Sequence, residues 1–380
     1  MTSTPASTKP ADRLERLLRF VATDPANERL RADVFETALA AGAFDEAQQQ
    51  AVWALTRDPV DFAWRHRLVL LDMARGEWDE ARALLQGLEA EGQASPAIAY
   101  NLAYIDFAQG RRAQAEVRMR QLAESDFDAV PQSLTVLMAC QHGRGAPQEA
   151  VQTFRSFASR VEDAATFGAA SLAAVDAQER AAAQAWAAQA LRRDPLQADA
   201  LVAQATMLIL DKAPRAALEL LDRYLAQRPN DGRALSAAGL SRLLCGHVAQ
   251  ARELFARSAA AAPEHVETWL AQGWCDFLLD DMAAARASFE RALWLHRDRA
   301  DIHGALAAVD ASQGRVAEAE LAVRRARELD PSGTAAQPAL AILAGKAEAP
   351  ERVLARLQAA LGQGGRSLAR PLDLPRNDGL

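Results

Sequence analysis

The sequence predicts an all-α fold, a solenoid built from tandem pairs of helices. Two observations predict it: residues that favour helix ends recur with a period of 34 positions, and apolar residues between them recur at steps of three and four. Each unit would hold two helices, and neither could bury its apolar stripe without the neighbouring unit. At 380 residues the chain also exceeds the usual size of a single core, which favours a repeat array.

Prolines mark the start of each unit. Six of the 16 prolines are separated by multiples of 34 residues, and four of these six follow an aspartate. This is the pattern expected where one helix has ended and the next cannot continue through the proline ring. The six positions are Pro25, Pro59, Pro195, Pro229, Pro263 and Pro331.

Glycine and alanine give two further marks in the same frame. A glycine would supply the left-handed residue that closes the first helix, and an alanine five residues later would let two backbones approach closely. The glycines are Gly42, Gly76, Gly110, Gly246 and Gly314. The alanines are Ala47, Ala81, Ala115, Ala183, Ala217, Ala251, Ala285 and Ala319.

These three marks make the sequence resemble the tetratricopeptide repeat family. Within that family it is most similar to the stand-alone bacterial type. The clearest match is the stretch 269–296, in which Trp269, Gly273, Ala285 and Phe289 occupy the family's packing positions. The resemblance implies a right-handed superhelical α-solenoid of helix-turn-helix repeats.

The repeat frame also predicts the domain organisation. The expected parts are a disordered N-terminus (1–11), a capping helix (12–27), nine repeats (28–333), C-terminal capping helices (334–361) and a flexible tail (362–380). Repeats near 130–178 are irregular, since Gly145 and Ala150 come one residue late and 164–178 has no turn glycine. We therefore hypothesise a softer joint here between two stiffer halves.

Residues that could carry catalysis or bind a metal follow no suitable pattern. Cys140, Cys245 and Cys275 are odd in number, and Cys275 lies 21 residues from His296 with no second ligand at a helical step. No phosphate loop or hydrolase motif is present. We expect no enzyme activity, cofactor or metal site.

Four aspartates share one position of the 34-residue frame. Each belongs to its own repeat, so we expect them to be solvated or hydrogen-bonded between helices and not to form a carboxylate array. They are Asp72, Asp106, Asp276 and Asp310.

Composition narrows the class of partner. The formal charge of -7 argues against nucleic acid as a partner, because phosphate binding needs clustered excess Lys and Arg. No apolar run serves as an export signal or a membrane span, which predicts a soluble cytoplasmic protein. The abundance of alanine and arginine is typical of high-GC bacterial genes.

The resemblance implies that the first helix of each repeat lines a concave groove. We expect two apolar or aromatic patches exposed there, as is typical of partner sites. The residues are His66, Arg67, Leu70, Met73, Tyr100, Asn101, Tyr104, Phe107, Leu240, Leu243, Leu270, Trp274 and Phe277. Of these, only Asn101 sits where chaperone-binding family members use a carboxylate clamp, so such a clamp is not expected.

The predicted function is a protein interaction scaffold, an adaptor or assembly chaperone that holds an extended or helical segment of a partner protein in the groove. An alternative is a regulatory or substrate-recruiting subunit of an enzyme complex, such as a glycosyltransferase or a secretion machinery. A further hypothesis is that the tail binds its own groove through Leu368, Leu372 and Leu374 until a partner displaces it.

Overall fold

The structure, a computed structural model, describes residues 10–345, and within them it contains helices and no strands. This confirms the predicted all-α repeat solenoid. Helix α1 (Pro10–Thr23) packs against α2 and begins two residues before the expected capping helix. The expected tail and its three leucines lie outside the described residues.

Nine helix pairs follow α1, and a short last helix ends the described chain. The first four pairs are α2 (Glu28–Ala40) with α3 (Phe44–Arg57), α4 (Phe62–Arg75) with α5 (Trp78–Ala90), α6 (Pro96–Ala108) with α7 (Arg112–Ser125), and α8 (Gln132–Gly143) with α9 (Pro147–Phe157). The next three are α10 (Ala164–Asp176) with α11 (Arg180–Arg193), α12 (Ala198–Leu210) with α13 (Pro214–Leu225), and α14 (Gly232–Leu244) with α15 (Val248–Ala261). The last elements are α16 (Val266–Leu278) with α17 (Met282–Leu295), α18 (Ala300–Ser312) with α19 (Val316–Leu329), and α20 (Gln337–Leu343).

The turn inside each pair needs a left-handed residue. All five frame glycines have φ between +71° and +83°, which confirms the prediction. Three repeats place Gln178, Lys212 and Asp280 at the same frame position, and these residues also adopt positive φ, between +58° and +62°. The geometry of the pair therefore imposes the left-handed conformation even where no glycine supplies it cheaply.

The first helix of most pairs begins with a side-chain cap. In six repeats a polar residue accepts a hydrogen bond from the backbone N–H three residues later. It lies two positions after the frame position at which four of these repeats have proline. These caps follow the 34-residue frame but were not recognised from the sequence. They are Asn27, Asp61, Ser95, Asp163, Gln197 and Asp231.

The frame alanines lie where the two helices of a pair meet. All eight are fully buried, as predicted for positions of close backbone approach. Glycines on the facing helix allow the same approach to an aromatic ring: a Cβ on Gly273 would lie 2.4 Å from Phe289 Cε1, and one on Gly239 would lie 2.9 Å from Phe255 Cε1.

The helices divide into two compact units. Within the described residues, unit 1 comprises residues 10–140 and unit 2 comprises residues 141–345. One core cluster of unit 1 is built around Phe35, Trp64 and Leu71, and one of unit 2 around Phe289 and Ile302. The boundary falls inside the irregular region, but the softness of that region stays a prediction.

Candidate partner-binding site

An aromatic stripe runs along α6 in unit 1. Tyr100, Tyr104 and Phe107 follow one another at helical steps, with ring centroids 6.1 Å apart for the first pair and 6.3 Å for the second. The ring of Trp78, from α5, lies 6.5 Å from that of Tyr104. The frame therefore places three of the predicted site residues together, and Trp78 is a neighbour that the sequence did not reveal.

The predicted residues of α4 adjoin this stripe through a polar contact. Asn101 Nδ2 lies 3.1 Å from His66 Nε2, and the His66 ring stacks on Phe62. Burial, with a smaller effect from the charge of Arg67, lowers the pKa of His66. A neutral imidazole at pH 7 can therefore accept the hydrogen bond that the asparagine amide donates.

Arg67 lies at the edge of the same surface. Its guanidinium stacks over the ring of Trp64 at 5.0 Å and donates a 3.2 Å hydrogen bond to Glu36. With Leu70 and His66 it remains partly exposed. These three side chains are the accessible members of the predicted groove in unit 1, and we call them the α4 edge.

The expectation of large exposed aromatic side chains is wrong for most of the predicted groove. Tyr100 is 8% exposed and Tyr104 5% exposed. The rings cover one another and Trp78 covers Tyr104, so little area remains for a ligand. Burial also raises the pKa of Tyr104 to about 12. The other buried members are Met73, Asn101, Phe107, Leu240, Leu243, Leu270 and Phe277.

In unit 2, Trp274 is the predicted site residue that stays partly exposed. Its ring packs in edge-to-face contacts against Phe277, 5.6 Å away, and Phe289, 5.3 Å away. The scaffold therefore covers part of the indole and leaves part of it accessible. First helices of successive repeats contact each other here, as α14 does with α16 and α16 with α18.

The four frame aspartates are buried and differ in their arginine partners. Arg82, Arg252 and Arg286 each stand 24 residues before an aspartate and pair with it across helices. Asp106 and Asp310 accept hydrogen bonds from these arginines, whereas Asp276 forms an ion pair with Arg252 and accepts a hydrogen bond from Ser288 of the next helix at 3.2 Å. Hydrogen bonding between helices is therefore confirmed for these three aspartates. The 24-residue spacing is a sequence signal that could have identified these pairs in advance.

Asp106 carries three guanidinium partners. It accepts hydrogen bonds from Arg82 Nη2 at 2.7 Å, Arg111 Nε at 2.9 Å and Arg118 Nη1 at 2.8 Å. Burial alone would raise the pKa of Asp106, but the bonds from Arg111 and Arg82 and the nearby positive charges outweigh it, so the pKa is lowered.

Asp72 differs from Asp106 because it has no arginine partner. Within residues 10–345 no side chain donates a hydrogen bond to its carboxylate, and the residue as a whole is 7% exposed. Burial, together with the charges of Glu77 and Glu80 and against that of Arg75, raises the pKa of Asp72 to about 6. Gln48 and Glu77 occupy the frame positions that arginines hold around Asp106.

An open cavity of about 550 Å³ lies outside the predicted groove, on α17, α18 and α19 of unit 2. It is lined by Leu293, Trp294, Arg297, His303 and Arg325, among others. Trp294 is 64% exposed, so it is a second accessible tryptophan on a surface that the repeat frame did not single out.

Two of the three cysteines, Cys140 and Cys275, are buried. All three are free thiols, and burial raises the pKa of Cys140 and of Cys275 to about 12. In the described part of the chain, no cluster of three or more His, Cys, Asp or Glu side chains could hold a metal ion. Between residues 10 and 345, the helices are too short or too polar to span a bilayer.

The stacked helix pairs define the class of protein, an all-α helical-repeat solenoid. Two family models described as tetratricopeptide repeat match the chain, one over residues 72–138 and the other over residues 237–301. The chain is a tetratricopeptide repeat protein. Such repeats support a protein interaction scaffold in general.

Several solved structures are similar to the chain. The human IFIT1 dimer with m7Gppp-AAAA is 12% identical, with 95% of this chain and 96% of that one covered at a TM-score of 0.58. At this identity the likeness extends to the fold alone. A tetratricopeptide repeat protein from Parabacteroides merdae is 16% identical (66% and 98% covered, TM-score 0.44), and MamA from MSR-1 is 21% identical (44% and 97%, TM-score 0.37). No curated protein matches.

Proposed function

We propose that this protein is an adaptor or assembly chaperone that holds an extended or helical segment of a partner protein on the first helices of its repeats. The observation that carries the proposal is the partly exposed indole of Trp274, which packs against Phe277 and Phe289 but is not fully covered by the scaffold. Tryptophan and arginine are the residues that most often anchor protein interfaces.

The proposal places one contact surface on each unit. In unit 2 the anchor is the partly exposed Trp274. In unit 1 the contact is the α4 edge, where a cationic Arg67 and a neutral His66 favour a segment with both polar and apolar side chains. The buried tyrosines support this edge and do not themselves meet the partner.

The first experiment asks which surface meets a partner. A photo-reactive p-benzoylphenylalanine replaces Trp274 in one sample and Trp294 in a matched control, since both tryptophans are accessible but lie on first and second helices respectively. After irradiation in cell extract, we expect a discrete adduct from position 274 only. Equal adducts from both positions, or adducts from position 294 alone, would contradict the proposal.

The second experiment measures affinity for the segment recovered from the adduct. Truncation of an interface tryptophan costs about 2 kcal/mol or more, so Trp274→Ala should weaken binding about 30-fold, whereas Trp294→Ala should not change it. Because Trp274 also contacts Phe289, thermal unfolding of each variant is recorded and Trp274→Phe serves as a milder change. Unchanged affinity in a folded Trp274→Ala variant would refute the assignment.

A further inference from the structure

An arginine cluster lies where α6 ends and α7 begins, apart from the α4 edge and the aromatic stripe. It consists of Arg82, Arg111 and Arg118, whose guanidinium groups all converge on the carboxylate of Asp106. The Asp106 side chain is 5% exposed, whereas those of Arg111 and Arg118 are 39% and 51% exposed. The carboxylate is thus enclosed, and the arginines present their outer sides to solvent.

Positive charge exceeds negative charge in this cluster. Gln109 joins it to one further carboxylate, since its Oε1 accepts from Arg82 and Arg111 while its Nε2 donates to Asp79 at 3.0 Å. Even with Asp79 included, three arginines face two carboxylates, so one positive charge remains uncompensated.

The other arginine-paired frame aspartates lack this excess. Arg252 alone serves both Asp276 and Asp281. At Asp310 the two arginines Arg286 and Arg315 are balanced, because Arg286 also pairs with Glu290. The net charge of the side-chain cluster at this frame position is therefore negative around Asp276, zero around Asp310 and positive around Asp106.

Hydrogen-bond donors also remain in the cluster. Arg118 uses only Nη1 on Asp106, and among residues 10–345 nothing accepts from its Nε or Nη2. Arg111 likewise has Nη1 in excess of its bonds to Asp106 and Gln109. Arginine forks with several free N–H groups match the oxygens of a phosphate better than a single-point contact does.

We propose that this arginine cluster is a binding site for a phosphate-type oxyanion, either free phosphate or a phosphorylated side chain. Asp106 holds the three guanidinium groups in place, and the outer N–H groups of Arg111 and Arg118 donate to the ligand. This inference does not depend on a partner binding at Trp274.

The test uses the full chain at constant ionic strength, with chloride replaced by inorganic phosphate, O-phosphoserine or acetate. Binding is followed by calorimetry and by broadening of the ligand ³¹P resonance. We expect phosphate to bind and Arg118→Gln to weaken it about tenfold, which is the loss of one charged hydrogen bond. Arg82 and Arg111 still hold Asp106 in this variant, so the fold should persist.

Arg286→Gln is the matched control, because it removes an arginine from the balanced cluster at Asp310 and should leave phosphate affinity unchanged. Tighter binding of O-phosphoserine than of inorganic phosphate would identify a side-chain source, and the reverse order a free-phosphate source; either order sustains the site. The proposal fails if phosphate gives no signal at tens of millimolar, if acetate binds equally well, or if Arg118→Gln binds like the wild type.

Discussion

The pairing of arginine with the frame aspartates can be tested at Asp72, which has no arginine partner. The other three frame aspartates pair with an arginine 24 residues earlier, but here that position is Gln48, an exposed residue of α3. Gln48→Arg should therefore place a guanidinium on the Asp72 carboxylate, at the 2.6 to 2.7 Å separation seen for Arg252 and Arg82.

The magnitude follows from the pKa of Asp72. Its value of about 6 in the folded state exceeds the usual 3.8, and about two pKa units correspond to about 3 kcal/mol. Because the folded state binds the proton more tightly, this carboxyl favours folding most below pH 4, and that contribution is lost as pH rises from about 4 to about 6. At pH 7.5 the carboxyl is charged in both the folded and the unfolded state, so this stabilisation is absent.

A single arginine should recover only part of this loss. Asp276 has Arg252 and the nearby Asp281, and burial still keeps its pKa raised. Since Asp72 has Glu77 in the place of Asp281, we expect Gln48→Arg to raise the free energy of unfolding at pH 7.5 by about 1 kcal/mol. Adding Glu77→Arg, which copies Arg111 and Arg315, should bring the gain towards about 3 kcal/mol.

The assay is urea denaturation at pH 7.5 and at pH 3.5, with the same substitutions repeated in an Asp72→Asn background. The gain should be present at the higher pH only, because at pH 3.5 the carboxyl is mostly protonated in both states. It should also vanish in the Asp72→Asn background. An equal gain at both pH values, or a gain that survives without the carboxylate, would refute the proposed arginine pairing.

Three further predictions concern packing, turns and dynamics. Gly273→Ala should lower the free energy of unfolding by about 1–3 kcal/mol, because the new methyl group meets the fully buried Phe289. Gly87→Ala should raise the free energy of unfolding by about 0.5–1 kcal/mol, because its methyl group would make only an ordinary contact, 3.7 Å from Arg65 Nη2; thermal melts compare the two variants. Asp280→Gly should raise the free energy of unfolding by about 1 kcal/mol, because glycine adopts the positive φ at this position without strain. Gly246→Ala should lower the free energy of unfolding by a similar amount, because it places a side chain at a positive φ; urea titration measures both changes. Hydrogen exchange should be faster in α8 to α10 than in α4, α5, α14 and α15; equal rates would remove the soft-joint hypothesis.

The local features of the repeat were predictable because each has a cause within a few residues. A helix that must end next to its partner needs a left-handed residue and a small side chain, and Gly76 and Ala81 show this directly in the sequence. The caps at Asp61 and Asp231 have an equally local cause and could have been found from the same frame.

Exposure along the groove was not predictable from the frame. The frame assigns Tyr104 to a face, but the area left on that face depends on which ring packs over it, and Trp78 comes from a different helix. Trp274 occupies the same frame position in a later repeat and remains partly exposed, although Phe277 and Phe289 pack against it. The difference lies in three-dimensional contacts between repeats, which a single repeat's pattern does not contain.

The frame aspartates show where specificity can arise in a repeat protein of this kind. One position holds a buried carboxylate in four repeats, with no arginine at Asp72, three at Asp106, one at Asp276 and two at Asp310. In all four repeats the backbone carbonyl of the aspartate accepts a hydrogen bond from the backbone N–H five residues later, whatever the number of arginines around the side chain. The aspartate with no arginine partner, Asp72, and the one with three, Asp106, both lie in unit 1. Each comes one residue before a residue of the predicted groove, Met73 or Phe107. Charge differences between otherwise equivalent repeats can therefore select a ligand while the packing residues keep the scaffold constant.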